Sequence, residues 1–230
     1  MESTKTRILK KLLETDGYLS GQELCEQLGV SRTAVWKYMK QLKEEGYEIE
    51  AVQNKGYCLK DVPDVLGESE IKSRLHTRWA GQTLYYYDEI DSTNTQIKRL
   101  AEEDAPHGTL AVADYQSRGK GRRGRAWDSP HGSAIYMSIL FRPEIRPDRA
   151  SMLTLVIGLS VTQAIRSNLG LQAQIKWPND VVLNGKKLVG ILTEMSAQMN
   201  YIEYLVTGRS EEHTSELQSP RYLVCRLLLE

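Results

Sequence analysis

The densest run of chemistry-bearing side chains lies at residues 116–127, QSRGKGRRGRAW. Gly119, Gly121 and Gly124 alternate there with Arg118, Lys120, Arg122, Arg123 and Arg125, and no acid appears before Asp128. Glycine lets backbone N–H groups turn toward an anion, and arginine adds paired donors that match phosphate or carboxylate oxygens. The expected chemistry is therefore anion capture. Charge repulsion and glycine's conformational freedom predict a loop that is mobile when empty. A Walker A loop is excluded, since no Gly-Lys-Ser/Thr follows, and a dinucleotide fingerprint is excluded by the lack of a strand–glycine–helix context. A nonspecific nucleic-acid segment has the same composition, so the loop alone leaves both readings open.

Two shorter segments add to it. In KWPND, residues 176–180, Lys176 ends a strand beside Trp177, and Pro178 forces a turn. An ammonium fixed there is a point charge for a carboxylate or phosphate. In DSTN, residues 91–94, Ser92, Thr93 and Asn94 offer hydroxyls and an amide to a small polar ligand at a strand-to-helix turn. Taken singly, the first is ordinary surface and the second an ordinary N-cap. Cys25, Cys58 and Cys225 lack metal or redox spacing, so no metal site is read and a reducing, cytoplasmic compartment is expected.

Hydrophobic spacing gives the elements that must hold these groups. After a boundary near 63, strands are expected at 83–90, 108–116, 133–142, 173–178 and 201–208. Helices are expected at 95–103, capped by Ser92 or Thr93, and at 148–169. A hairpin over 181–195 turns on Asn184-Gly185, a type I′ pair. The class is α+β with a mostly antiparallel sheet.

The first sixty residues follow another pattern. Helices are expected over 5–14, from Ser20 to Gly29 with Glu23 closing a capping box, and over 32–45 with Ser31 as its cap. A hairpin over 47–59 follows, which makes a winged helix-turn-helix. Val35, Tyr38, Met39 and Leu42 form the buried stripe of the third helix. Ser31, Arg32, Thr33, Trp36, Lys37 and Lys40 lie on another face, and Lys55 sits at the wing tip. Residues at the start of such a helix reach base edges, and lysines suit phosphates. Residues 1–60 carry ten basic and nine acidic side chains, but 31–43 contains no acid. This favours DNA binding over a merely solvated face.

The chain has 230 residues, with 30 Lys and Arg against 30 Asp and Glu, so whole-chain charge decides nothing about nucleic acid. Its hydrophobic content of 40% supports a packed core. No run approaches eighteen apolar residues, so no membrane span is expected.

Behind a winged helix, DSTN, then GKGRRGR with Gln116 upstream, then KWPND followed by KLVGIL resembles the bifunctional biotin–protein ligase and biotin operon repressor family. The resemblance covers roughly 1–208. It implies a class II synthetase-like ligase domain, substrates biotin and ATP with Mg²⁺, and biotinyl-5′-adenylate as intermediate. It also implies a carboxylase carrier domain as acceptor, operator DNA as partner, and a ligand-induced homodimer. By position it gives Ser92, Thr93, Asn94, Gln116, Lys120, Gly121, Arg122 and Lys176 to biotin. It makes Lys176, Arg122 and Arg125 the catalytic cations, with Arg125 ordering the loop. Lys120 stands where many members have arginine. A lipoate–protein ligase, and a regulator whose second domain only senses a ligand, are the competing readings.

The resemblance divides the chain into 1–62, 63–208 and a tail, 209–230. The tail, RSEEHTSELQSPRYLVCRLLLE after Gly208, looks like translated adapter read-through rather than the Gly-Ile-Gly-Ile-Asn turn expected there. The ligase domain is accordingly expected to be incomplete at its C-terminus, without part of its sheet and a small β-barrel.

Overall fold

The computed structural model describes residues 3–132 and 134–212, the last three by backbone alone. Two compact units divide the chain between Arg74 and Leu75.

In the first unit, α1 (Thr4–Glu14), α2 (Gly21–Leu28) and α3 (Arg32–Glu44) precede an antiparallel hairpin of β1 (Glu48–Val52) and β2 (Gly56–Asp61). Serines open all three helices: Ser3, Ser20 and Ser31 accept from the backbone N–H groups of Thr6, Gln22 and Ala34. The capping box at Ser20 does not form, because Ser20 bonds to Gln22 and the Glu23 carboxylate accepts from Gln27 one turn on. Gly29 ends α2 in the left-handed conformation, φ 66°, which sets the tight turn into α3. Ile8, Leu9, Leu24, Val35, Met39, Leu42 and Ile49 close the core, with Tyr38 only half-buried at its rim. A fourth helix, α4 (Glu68–Arg74), packs on α1, so this unit runs past the boundary expected at 62. Within it, the buried Glu70 accepts from Tyr47 Oη at 2.5 Å and pairs with Arg74 at 2.6 Å.

The second unit is built on a seven-stranded sheet. Its strands are β3 (Leu84–Ile90), β4 (Leu110–Gln116), β7 (Ala134–Phe141), β8 (Gln174–Lys176), β9 (Asp180–Leu183), β10 (Lys186–Ala197) and β11 (Ile202–Glu212). The order across the sheet is β3-β4-β7-β11-β10-β9-β8. Only β3 and β4 run parallel; the other neighbours are antiparallel. Asn184 and Gly185 have φ 50° and 79°, the left-handed pair that a type I′ turn requires. β11 runs four residues beyond the expected break at 208, paired to β10 as far as Glu211 and to β7 as far as Glu212. Residues 213–230 of the expected tail lie outside the described residues.

Two helices cover the sheet. α5 (Thr93–Glu102) buries Ile97, Leu100 and Ala101 against Ala111, Leu140 and Val206. α6 (Ala150–Leu169) buries Val161, Ala164 and Ile165. With the turn before it, α6 is the one described helix long and apolar enough to cross a membrane, by length and composition alone; it leaves Met152, Leu155, Val156 and Leu159 exposed.

Candidate active site

The first turn of α5 opens onto a cavity of about 640 Å³. Ser92, Thr93 and Asn94 form part of its wall. Asp91 fixes the approach, accepting from Ser92 N–H at 2.7 Å and pairing with Arg99 at 2.7 Å. Burial alone would raise the Asp91 pKa, but the Arg99 and Ser92 hydrogen bonds hold it below the ordinary value. The positive end of the helix dipole therefore faces the cavity.

Beneath the wall lies a connected polar network. Gln116 Oε1 accepts from Thr93 N–H at 2.8 Å, and Gln116 Nε2 donates to Ser129 Oγ at 3.0 Å. Ser138 Oγ lies 2.7 Å from Thr93 Oγ1 and 2.6 Å from Asn94 Oδ1. Asn94 Nδ2 donates to Glu194 Oε2 at 2.7 Å, and Lys98 Nζ holds Glu194 Oε1 at 2.5 Å. Burial pushes the Glu194 pKa up, yet the bonds from Lys98 and Asn94, with the Lys98 and Lys120 charges, leave it below the ordinary value. A Cβ on Gly208 would meet Asn94 Oδ1 at 2.0 Å, so only glycine lets this amide reach across β11.

The basic loop forms the roof. Two short strands, β5 (Gly119–Lys120) and β6 (Ala126–Trp127), pair around a 3-10 turn at Arg122–Gly124. Gly121 N–H donates to the Arg125 carbonyl at 2.8 Å, and Arg123 and Gly124 both take left-handed φ. Arg122 Nη1 donates to Asn179 Oδ1 at 2.8 Å, and Lys120 Nζ donates to Thr95 Oγ1 at 3.1 Å. The loop is folded here as a hairpin, with its own strand pairing and these two side-chain bonds as its contacts.

Of the sequence candidates, Ser92, Thr93, Asn94, Gln116, Lys120, Gly121, Arg122 and Arg125 share this cavity. Lys176 does not. It ends β8, a three-residue edge strand with every residue exposed, and the turn after it carries Trp177, Pro178, Asn179 and Asp180 to the wall instead. The cation in the wall on this side is Lys187. Its Nζ lies 2.8 Å from Asp180 Oδ1 and 4.8 Å from the centre of the Trp127 ring. Lys187 had a signal in the sequence: it opens the KLVGIL strand one turn after WPND. Glu194, Ser129 and Ser138 had none, since each is an isolated polar residue in a strand or loop.

In the first unit, Ser31, Arg32, Thr33, Trp36, Lys37, Lys40 and Lys55 are all exposed. Trp36 is 60% exposed, with Lys40 Nζ 5.9 Å from its ring centre. At the wing, Lys55 and Lys60 both lie over the Tyr18 ring. A helix face with cations and an exposed indole is a candidate nucleic-acid interface.

Comparisons with known proteins bear on both units. Residues 86–208 match the biotin/lipoate A/B protein ligase family, and residues 4–58 match a helix-turn-helix domain. The chain is 46% identical over 210 residues to the bifunctional ligase/repressor BirA of Bacillus spizizenii, covering 90% of this chain and 65% of that protein. With BirA of Escherichia coli K12 the identity is 35% over 198 residues, covering 86% of this chain and 60% of the relative. Biotin protein ligase from Aquifex aeolicus, solved with biotin and ATP, superposes with TM-score 0.51 at 30% identity, covering 64% of this chain and 67% of that one. The chain therefore spans less than two thirds of these BirA relatives, and across the part it spans it belongs to the biotin/lipoate A/B protein ligase family, with a helix-turn-helix domain ahead of the ligase segment.

Proposed function

We propose that the protein is a bifunctional biotin–protein ligase and repressor of biotin-synthesis genes. One observation carries the ligase reading: DSTN, Gln116, the GKGRRGR loop and Lys187 converge on one cavity that mixes polar network and cations. The reaction brings two anions together. The biotin carboxylate attacks the α-phosphorus of ATP, the bond to the β-phosphate oxygen breaks, and pyrophosphate leaves. Lys187 and Arg122 offset the charge that builds at that point, most strongly in the transition state. The roof hairpin excludes water from the resulting mixed anhydride. A carrier lysine amine then attacks the activated carbonyl and releases AMP, so no enzyme nucleophile is required.

Asp180, ion-paired to Lys187, is the one carboxylate in the described wall, and no cluster of three metal-ligating side chains occurs among the described residues. Mg²⁺ accordingly fits as a companion of the ATP phosphates, whose charge it would neutralise when bound. The acceptor is a biotin carboxyl carrier domain, and the winged helix contacts operator DNA through α3 and the wing as a ligand-induced dimer in the cytoplasm. Names of the BirA relatives and the exposed face of α3 support the repressor half.

Biotin-dependent exchange of pyrophosphate into ATP tests the reading. Exchange that needs biotin, ignores lipoate and fails in Lys187→Ala supports it. Biotin-independent or lipoate-driven exchange overturns it.

A further inference from the structure

The β1–β2 hairpin carries an exposed polar cluster away from both the cavity and α3. Glu48 pairs with Asp61 and Ile49 with Leu59, which leaves Lys60 as the extra residue of a bulge. A bulge re-aims its side chain, and here Lys60 Nζ reaches Glu50 Oε2 at 3.0 Å. Tyr18 arrives from the segment before α2, held there because Leu19 and Tyr57 exchange both backbone hydrogen bonds, at 2.7 and 2.9 Å. Tyr18 Oη donates to the same carboxylate oxygen, Glu50 Oε2, at 2.8 Å. Lys55 and Lys60 place their ammonium groups 5.5 and 5.6 Å from the centre of the Tyr18 ring. The Lys60 and Tyr18 hydrogen bonds hold the Glu50 carboxyl below its ordinary pKa, and the bond to Glu50 keeps the Tyr18 proton in place. A phenol and an ammonium from two segments thus grip one anionic oxygen at the surface, with a second ammonium alongside.

We propose that Tyr18, Lys55 and Lys60 form a phosphate site for duplex DNA on the wing, and that Glu50 is its built-in competitor, an internal anion that a backbone phosphate must displace. This inference rests on the DNA-binding reading of the first unit. Hydroxyls and lysines are the donors that seat a protein on DNA phosphates. All four side chains are exposed, and an exposed ion pair is weak enough to exchange. The cluster also adjoins the start of α3. Gly21, the first residue of α2, lies against the Tyr57 ring, where a Cβ would meet Cε2 at 3.5 Å, and Arg32 Nη2 donates to Gln22 Oε1 at 3.4 Å. Charge gives the competitor its weight. Across 48–61, Glu48, Glu50 and Asp61 stand against Lys55 and Lys60, so the hairpin as a whole opposes a polyanion while Glu50 occupies the site.

The test is binding of a fluorescein-labelled random-sequence DNA duplex by the full chain, followed by anisotropy at several salt concentrations. Glu50→Gln vacates the site and is expected to tighten binding about fivefold at low salt and to steepen the salt slope by about 1, as one more cation reaches a phosphate. Lys60→Met alone changes affinity by less than about twofold, because Glu50 already occupies that ammonium. The double variant Glu50→Gln/Lys60→Met loses the gain and returns to within about twofold of wild type. Glu48→Gln removes the same charge from the same strand without touching the cluster, and is expected to give less than half of the Glu50→Gln effect. No gain in Glu50→Gln, an equal gain in Glu48→Gln, or a gain that survives Lys60→Met overturns the proposal while leaving the DNA-binding reading intact. Wild type and Glu50→Gln both failing to bind duplex overturns both.

Discussion

Lys187 Nζ sits 2.8 Å from Asp180 Oδ1, across the β9–β10 hairpin, with its stem over Gly190, where a Cβ would approach Lys187 Cε to 3.0 Å. The ion pair and the Trp127 ring hold this ammonium in the cavity wall, whereas Lys176 stands on the exposed sheet edge. Lys187→Ala is therefore expected to lower biotin-dependent pyrophosphate exchange by about 100-fold, the cost of losing one preorganised electrostatic group. Lys176→Ala is expected to change it by less than about fivefold, in line with the small effects of exposed charges. Steady-state exchange rates of the two variants, measured side by side, check the assignment.

Gly208 gives a steric prediction. A methyl group there would overlap Asn94 Oδ1 and approach Ser138 Oγ to 3.0 Å. Gly208→Ala should cost about 1–3 kcal/mol of stability, the range for an overpacked core. It should also weaken biotin binding by displacing the α5 terminus. Thermal melting with and without biotin reads both effects.

Acid should act through Glu194 and Asp91. Both carboxyls are held below their ordinary values in the folded chain. A carboxyl depressed by folding contributes stability above its unfolded pKa and loses that contribution as pH falls through the folded one. The Tm difference between wild type and Glu194→Gln should be full at neutral pH. It should shrink below the ordinary glutamate value of 4.5 and vanish in stronger acid. A difference that grows on acidification would contradict the assignment.

For the winged helix, phosphate and base contacts separate by salt dependence. Lys37→Ala and Lys40→Ala should each weaken operator binding uniformly across sequences and reduce the salt slope by about 1. Arg32→Ala, at the start of α3, should relax sequence preference while changing that slope by no more than a single charge does. Titrations at several salt concentrations on operator and scrambled DNA distinguish the two.

The fold was largely legible because its signals are local. Ser31 caps α3, Gly29 stops α2, and Asn184-Gly185 turns the late hairpin, each through backbone chemistry that two or three residues determine. The candidate site was legible where one segment contributes several groups, as at 91–94 and 119–125. It failed where position depends on strand register. Lys176 and Lys187 are both lysines at strand ends, and only the route of the chain through Trp177 and Pro178 decides which one reaches the cavity. Glu194 and Ser138 escape sequence reading altogether, since their partner Asn94 lies on another element. The capping box failed for a competing local bond, Glu23 with Gln27.

The place of β11 in the sheet has a consequence for how the second unit is made. It comes last among the described strands in chain order, yet it is fourth of seven across the sheet, between β7 and β10. It alone joins β3-β4-β7 to β10-β9-β8, which share no ladder with each other. Ribosomal synthesis therefore delivers the keystone after both flanks, and its pairings with β7 reach back over long stretches of chain, a topology that folds slowly. Without that strand, β7 and β10 would each be an unpaired edge, so a change that detaches β11 is expected to expose two surfaces to edge-to-edge association as well as to loosen the sheet.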